Sequence, residues 1–439
     1  GNPIKRLENR TGPITSATFS PDGQFILTTS GDNTARIWDK NGSLIKILQG
    51  HSSPVSGAVF SPDGKFILTC SHDETARIWD KNGSPLKTFE ASSGIDDVVY
   101  SPDGQFFLTC NTDNTARLWD KNGNLIKTLE GHTDWVSGAA FSPDGQFILT
   151  CSRDGTARLW DINGNQIKTL KGHASYVSSV VFSPDGQSIL TCSGDSTARL
   201  WDKNGNPIKT LKGHTDDVYN AVFSPDGQLI LTSGRDNTAR LWDKNGNLIN
   251  TLKGHTSYVS GAVFSPDGQF ILTRSHDRTA RLWDKNGNPV KTLEGHTSYI
   301  SGAVFSSDGQ LILTCSQDKT ARLWDKNGNP LKTLEGHTND VNGAVFSPDG
   351  HLILTCSADN TARLWDKNGN LLETLEGQSG SVISAIFSPD GQSILTCSDS
   401  HRINLWEPFP LYIQHHWSLH RKDFLQAGVR EEDLPAWVK

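Results

Sequence analysis

Seven of the histidines that stand directly after a glycine are followed 22 residues later by an aspartate in a short polar loop. The pairs are His51 with Asp73, His132 with Asp154, His173 with Asp195, His214 with Asp236, His255 with Asp277, His296 with Asp318, and His337 with Asp359. A histidine beside a carboxylate is the acid–base half of a hydrolytic triad, and histidines with cysteines are the usual zinc ligands. Seven cysteines are also present: Cys70, Cys110, Cys151, Cys192, Cys315, Cys356 and Cys397. Spacing argues against each chemistry. Each of these seven histidines, and each cysteine, keeps its own place in a unit that repeats about every 41 residues, so like residues lie at least one unit apart. An odd number of cysteines one unit apart fits neither a disulfide framework nor a zinc site and reads as buried small thiols. The Asp-Lys-Asn-Gly-Asn turns lack the third carboxylate and terminal Glu of a calcium loop. His415, His416 and His420 put two imidazoles at helical spacing, with no Cys or carboxylate pattern to complete a zinc site. No catalytic residue, metal site or cofactor is assigned.

What must position these residues is the unit itself, seen most clearly around Trp283 (254–294). VSGAVF reads as a strand, SPDG as a turn and QFILTRS as a strand. A polar loop around Asp277 follows, then TARLW as a strand, a DKNGN turn, and PVKTLE as a fourth strand. Asn-Gly is expected to form a tight hairpin with both central residues at positive φ. Four strands cannot bury both faces alone, so the unit must stack on copies of itself. Its late tryptophan recurs at Trp38, Trp79, Trp119, Trp160, Trp201, Trp242, Trp283, Trp324, Trp365 and Trp406. Ten units therefore follow one another, with no linker or composition shift between them.

The Trp-Asp pairs (Trp38–Asp39 through Trp365–Asp366) and the Gly-His pairs resemble the signature of the WD-repeat β-propeller family over about residues 1–407. The resemblance implies an all-β propeller of four-stranded antiparallel blades. In each blade the His, the loop Asp and the Trp would form a structural hydrogen-bonded network, with Asp32 and Asp113 also at the Asp position. The repeated Thr-Ala-Arg arginine (Arg36, Arg77, Arg117 and onward) is expected to be structural too. Three repeats depart from the pattern and are expected to be softer. The first has Asn9–Arg10 for Gly-His. The third has Ala91–Ser92 and is one residue short. The tenth has Gly377–Gln378, Ser400 for the loop Asp, and Trp406–Glu407.

GNPIKRLE (residues 1–8) matches a fourth strand without its preceding three, and the last unit supplies only three strands. Pairing the two would close ten blades into one ring and hide the open sheet edges. The alternative is a ring of seven or eight blades with the extra blades spilling over, since propellers usually have about 4–8. Residues 408–439 are not repeat material. A short helix starting near Ser418 and rich flanking aromatics suggest a tail docked on the propeller. The chain begins at Gly1 and contains no Met, so a further segment upstream is expected.

The net charge is −7 over 439 residues, which offers no general attraction for phosphate backbones, and no window is long and apolar enough to span a membrane. A cytoplasmic location is expected. Because the repeats are so alike, the few positions that differ stand out. They cluster just after Gly-His (Trp135, Tyr176, Asp217, Tyr258, Tyr299, with Tyr219 two residues on) and around the loop Asp (Arg153, Arg235, Arg278, Lys319, with Arg274 at the preceding strand end). Both loops lie on the top face in the family. Aromatics and arginine anchor protein interfaces, so these residues are the candidate partner-binding site. The expected function is a non-enzymatic interaction scaffold or ligand-sensing propeller, as in the C-terminal sensor regions of larger signalling proteins, with upstream effector domains as further partners. Nucleic-acid binding through Arg153, Arg235, Arg274, Arg278 and Lys319, and an enzyme with a site in the central channel, are the alternatives.

Overall fold

The computed structural model describes residues 3–7, 12, 14–90, 93–400 and 402–407. Within them lie ten four-stranded antiparallel sheets, each built from strands consecutive in sequence except the last. Blade 7 is typical: Val259–Phe264, Phe270–Ser275, Ala280–Asp284 and Pro289–Leu293, in that order across the sheet. The first strands of successive blades touch one another and form the innermost ring, while the fourth strands lie outermost. Blades 1 to 9 run in this way from Ile14 to Leu375. Blade 10 comprises Val382–Phe387, Ile394–Ser398 and Ile403–Trp406, and its outer strand is Lys5–Leu7, with Lys5 opposite Leu405 and Leu7 opposite Ile403. Ten blades therefore form one closed propeller. The helix expected in 408–439, its docking, and the pairs Asn9–Arg10 and Ala91–Ser92 lie outside the described residues.

Blades adhere because both faces of each are apolar. The tryptophan of one blade fills the joint with the blade before it. Trp201 of blade 5 is buried with Leu149, Leu159 and Leu170 of blade 4 and with Ile189 of its own blade. The same joint closes the ring, where Trp38, Phe19 and Ile26 of blade 1 meet Leu7, Leu395 and Leu405 of blade 10. Fully burying such aliphatic or aromatic side chains is worth about 1.5–3 kcal/mol each. At the shortened repeat, Phe89 stands where most blades have Leu and packs 4.2 Å from Trp119, filling the joint with extra aromatic volume.

The turns show why two motifs barely vary. In Ser-Pro-Asp-Gly, Ser265 Oγ donates to Asp267 Oδ1 at 2.6 Å and accepts from Phe270 N at 2.9 Å. In Asp-Lys-Asn-Gly-Asn, Asp284 Oδ1 accepts from the N–H groups of Asn286 and Asn288, while Oδ2 accepts from Asn288 Nδ2. That carboxylate is occupied by its own turn, as a hairpin role requires. The tight turn expected of Asn-Gly is corrected in one respect: Gly287 has φ +77°, but Asn286 is not left-handed. The Gly287 N–H closes on the Asp284 carbonyl at 2.9 Å and the register shifts between Leu282 and Trp283. This is the longer hairpin with glycine at its bulge, which Asp284 stabilises by capping two amides at once.

Candidate functional site

Each histidine lies in a chain of hydrogen bonds. In blade 2, Trp79 Nε1 donates to Thr69 Oγ1 at 3.0 Å, and Thr69 Oγ1 lies 2.9 Å from His51 Nε2. His51 Nδ1 is 3.0 Å from Asp73 Oδ2, and Asp73 Oδ1 accepts from Thr75 Oγ1 at 2.7 Å. One assignment satisfies every partner: Thr69 donates to Nε2, and a neutral His51 donates through Nδ1 to the carboxylate. Burial first pushes the Asp73 carboxyl up, but Thr75, the Ser52 amide and His51 together hold it down at about 2. Burial lowers His51, with Asp73 opposing. The arrangement is repeated at His132, His173, His214, His255, His296 and His337 with Asp154, Asp195, Asp236, Asp277, Asp318 and Asp359.

These links have the connectivity of a hydroxyl–imidazole–carboxylate triad. Thr69, however, is 0% exposed and its oxygen is already shared by Trp79 and His51, so the hydroxyl has no access to a substrate. The network ties the second and third strands to the Gly-His loop and to the loop that joins them. Threonine was not recognised from sequence as its central member, although Leu-Thr recurs in the second strand of all ten units (Thr28, Thr69, Thr109 and onward). The Thr-Ala-Arg arginine completes it: Arg77 Nη2 donates to the Gly50 carbonyl at 2.7 Å, linking its own strand to the Gly-His loop.

The candidate top-face residues form three groups. In blade 4 the Arg153 guanidinium lies 4.3 Å from the centre of the Trp135 ring, and the Arg153 amide donates to the Trp135 carbonyl. Between blades 5 and 6, Tyr176 Oη donates to Asp217 Oδ2 at 3.3 Å, while Arg235 is exposed. Between blades 7 and 8, the His276 imidazole stacks 3.9 Å from Tyr258 and lies 4.7 Å from Tyr299. Trp135, Tyr176, Tyr219 and Tyr299 are exposed large side chains. Arg278 and Lys319 are exposed, and both have φ of 73°.

Two members sit in strands, Arg274 near the end of its strand as expected. Tyr219 belongs to the innermost strand of blade 6, and Arg274 to the second strand of blade 7. Both places belong to a system of inter-blade hydrogen bonds invisible in the sequence. The second residue of the first strand donates to the next blade's first-strand carbonyl: Thr15 to Val55, Ser56 to Ile95, Ser137 to Val177, Ser178 to Val218, Ser301 to Val341 and Asn342 to Val382. Tyr219 occupies this slot in blade 6 and makes no such bond among the described residues, and Ile383 in blade 10 has no donor. At the joint of blades 7 and 8, Arg274 Nη1 makes the crossing instead, to the Ser301 carbonyl at 2.9 Å. Arg274 is a half-buried strut between blades rather than a free surface cation.

A closed ring of four-stranded blades, seven of them stapled by an Asp–His–Thr–Trp chain, defines a β-propeller of repeated units. Residues 95–329 match the family described as IFT122 first beta-propeller, and residues 1–39, 42–80, 328–366 and 369–407 match the family described as WD domain, G-beta repeat. The chain belongs to the WD-repeat β-propellers. Propellers of this family typically serve as protein-interaction scaffolds and are generally non-enzymatic. No match was found among curated proteins. Among solved structures, the crystal structure of the computationally designed Ika8 protein is similar, with 23% identity and a TM-score of 0.55 over 83% of this chain and 100% of that one. That likeness concerns the fold alone.

Proposed function

We propose that this propeller is a non-enzymatic scaffold whose top face binds another protein through the arc of blades 4 to 8. The observation that carries the reading is the contrast between two kinds of exposed loop. The Asp284-type and Asp267-type turns spend their polar groups on themselves and barely vary. The top-face loops vary, and they vary toward Trp, Tyr and Arg arranged in stacked pairs. Arg278 and Lys319 add a second support. Left-handed backbone is unfavourable for such side chains by about 1–2 kcal/mol, and the same slot holds Asn33, Asn114, Gly155, Asn237 or Asn360 in other blades. Such strain is commonly kept where a side chain serves a function.

Near-identity of the repeats also supports the narrower reading that the ring is the ligand-sensing region of a larger signalling protein whose effector domains lie in the same polypeptide. Seven cysteines, six of them buried, fit a reducing, cytoplasmic setting. The test is affinity capture from the native cell's lysate, with this chain and with a variant in which Trp135, Tyr176, Tyr219, Tyr258 and Tyr299 are all Ser. A protein retained by the first and lost by the second supports the top-face site. Retention of the same protein by both baits contradicts it.

A further inference from the structure

We propose, building on the reading of the top face as the partner site, that the joint of blades 7 and 8 is a subsite for an acidic peptide segment carrying an aromatic or large aliphatic residue. Three observations converge there. His276 is held between Tyr258 of its own blade and Tyr299 of the next, at 3.9 and 4.7 Å, forming an aromatic shelf across the joint. Burial, and then the charge of Arg274, lower the His276 imidazole, so the shelf is neutral near pH 7. Arg278 and Lys319 occupy the equivalent loop slot on the two blades that supply the shelf, and neither has a hydrogen-bond or ion-pair partner among the described residues.

The nearest carboxylates, Asp277 and Asp318, make their hydrogen bonds to His255 and His296 rather than to these cations. Elsewhere on the arc Arg153 lies over Trp135 and Asp217 accepts from Tyr176, while Arg235 stands exposed on blade 6 without an aromatic shelf of this kind beside it. In blade 2 the same slot carries the opposite sign, Glu74. Two unanswered cations beside a neutral aromatic shelf complement a carboxylate-rich segment with one ring or branched side chain to lay on the shelf. A peptide fits better than a polynucleotide, because the shelf has only two cations beside it and the chain's net charge of −7 offers no general attraction for a phosphate backbone.

The test uses the full chain and fluorescence anisotropy. The probes are a labelled peptide of glutamates flanking one tryptophan, the same peptide with glutamine for every glutamate, and single-stranded oligo-dT. Two variants are compared, Arg278→Asn/Lys319→Asn and Tyr258→Ser/Tyr299→Ser. Asparagine already occupies this left-handed slot in several blades, so the first variant keeps the fold, and circular dichroism checks both. The acidic peptide is expected to bind, to weaken as salt rises, and to lose about three- to tenfold in affinity in the asparagine variant. No binding of the acidic peptide, or equal binding of the glutamine peptide, overturns the inference. If both peptides bind equally and only the tyrosine variant loses them, the top-face reading survives without its acidic specificity. If neither variant changes acidic-peptide binding, the subsite and the top-face reading both fail at this joint. Tighter binding of oligo-dT than of the acidic peptide overturns the inference in favour of nucleic acid.

Discussion

In blade 3, Arg117 Nη2 donates to Asp113 Oδ2 at 2.7 Å, whereas in blade 7 the equivalent Arg281 donates to the Gly254 carbonyl and leaves Asp277 to His255. Blade 1 repeats the first arrangement, with Arg36 2.8 Å from Asp32. Both blades lack the Gly-His pair. A shielded carboxylate needs a donor whose charge or dipole balances it, and where no imidazole is supplied the guanidinium turns to it. Removing Arg117 should therefore cost more than removing Arg281. Arg117→Ala is expected to lose about 1–3 kcal/mol, and Arg281→Ala about 0.5–1.5 kcal/mol. Equal losses in urea denaturation would show that the arginine does not substitute for histidine.

Threonine 273 receives Trp283 Nε1 at 3.0 Å and lies 2.9 Å from His255 Nε2. Thr273→Val keeps the shape and strands both partners, each buried. A loss of about 2–4 kcal/mol is expected, from two unsatisfied groups at about 1–3 kcal/mol each with partial relaxation. Trp283→Ala should cost about 3–5 kcal/mol through lost packing. Valine behaving like wild type in denaturant melts would reduce the network to ornament.

Two blades lack the usual donor in the second-residue slot, blade 6 with Tyr219 and blade 10 with Ile383, although Asn220 Nδ2 still reaches across from blade 6 to the Ala262 carbonyl at 3.5 Å. Tyr219→Ser and Ile383→Ser place in that slot the hydroxyl that blades 2, 4, 5 and 8 use to reach their neighbour. Each is expected to stabilise the ring by about 0.5–1.5 kcal/mol, and Tyr219→Ser should at the same time weaken partner binding. Thermal unfolding of the two variants checks this, and a fall in midpoint for both would contradict the role of the slot.

Acid sensitivity follows from the networks. His51, His132, His173 and His337 are lowered by burial, so the unfolded chain binds protons at these sites before the folded chain does. Their contribution is full above the unfolded value of about 6.5 and is lost as pH falls toward the folded values, by up to about 1.4 kcal/mol per pH unit for each group. Asp73, held at about 2, keeps its contribution until pH drops below the unfolded carboxylate value of about 3.9. Urea midpoints that decline below about pH 6.5 and then again below about pH 4 are expected. A flat profile from neutral pH to about pH 5 would contradict buried neutral histidines.

The blade architecture was legible because the pattern of strand and turn residues is written ten times, and because GNPIKRLE matches a fourth strand lacking its partners. Other features were not. Thr69 sits in a strand where threonine is unremarkable, so its role as the joint acceptor and donor gave no separate signal. Asn286-Gly287 carries the dipeptide of a tighter turn, and only Asp284, by capping two amides, selects the longer one. The shelf of Tyr258, His276 and Tyr299 joins residues from two repeats. Arg274 likewise reads as a free cation until the neighbouring Ser301 carbonyl is placed beside it. Blade 10 has Gln378 in the histidine position, and its Nε2 donates to Thr396 Oγ1 at 2.7 Å, which keeps the link to Trp406. Among the described residues, Gln378 Oε1 and both polar side-chain atoms of the buried Asn404 have no partner, so this repeat lacks the full network.

The most direct measurement is amide hydrogen exchange on the full chain, alone and with the protein it captures. Slowed exchange confined to the loops around Trp135, Tyr176, Asp217, Tyr258, His276 and Tyr299 is the predicted result. Slowed exchange at the Asp267 and Asp284 turns or along the outer strand Pro289–Leu293, with those loops unchanged, would contradict a top-face partner site.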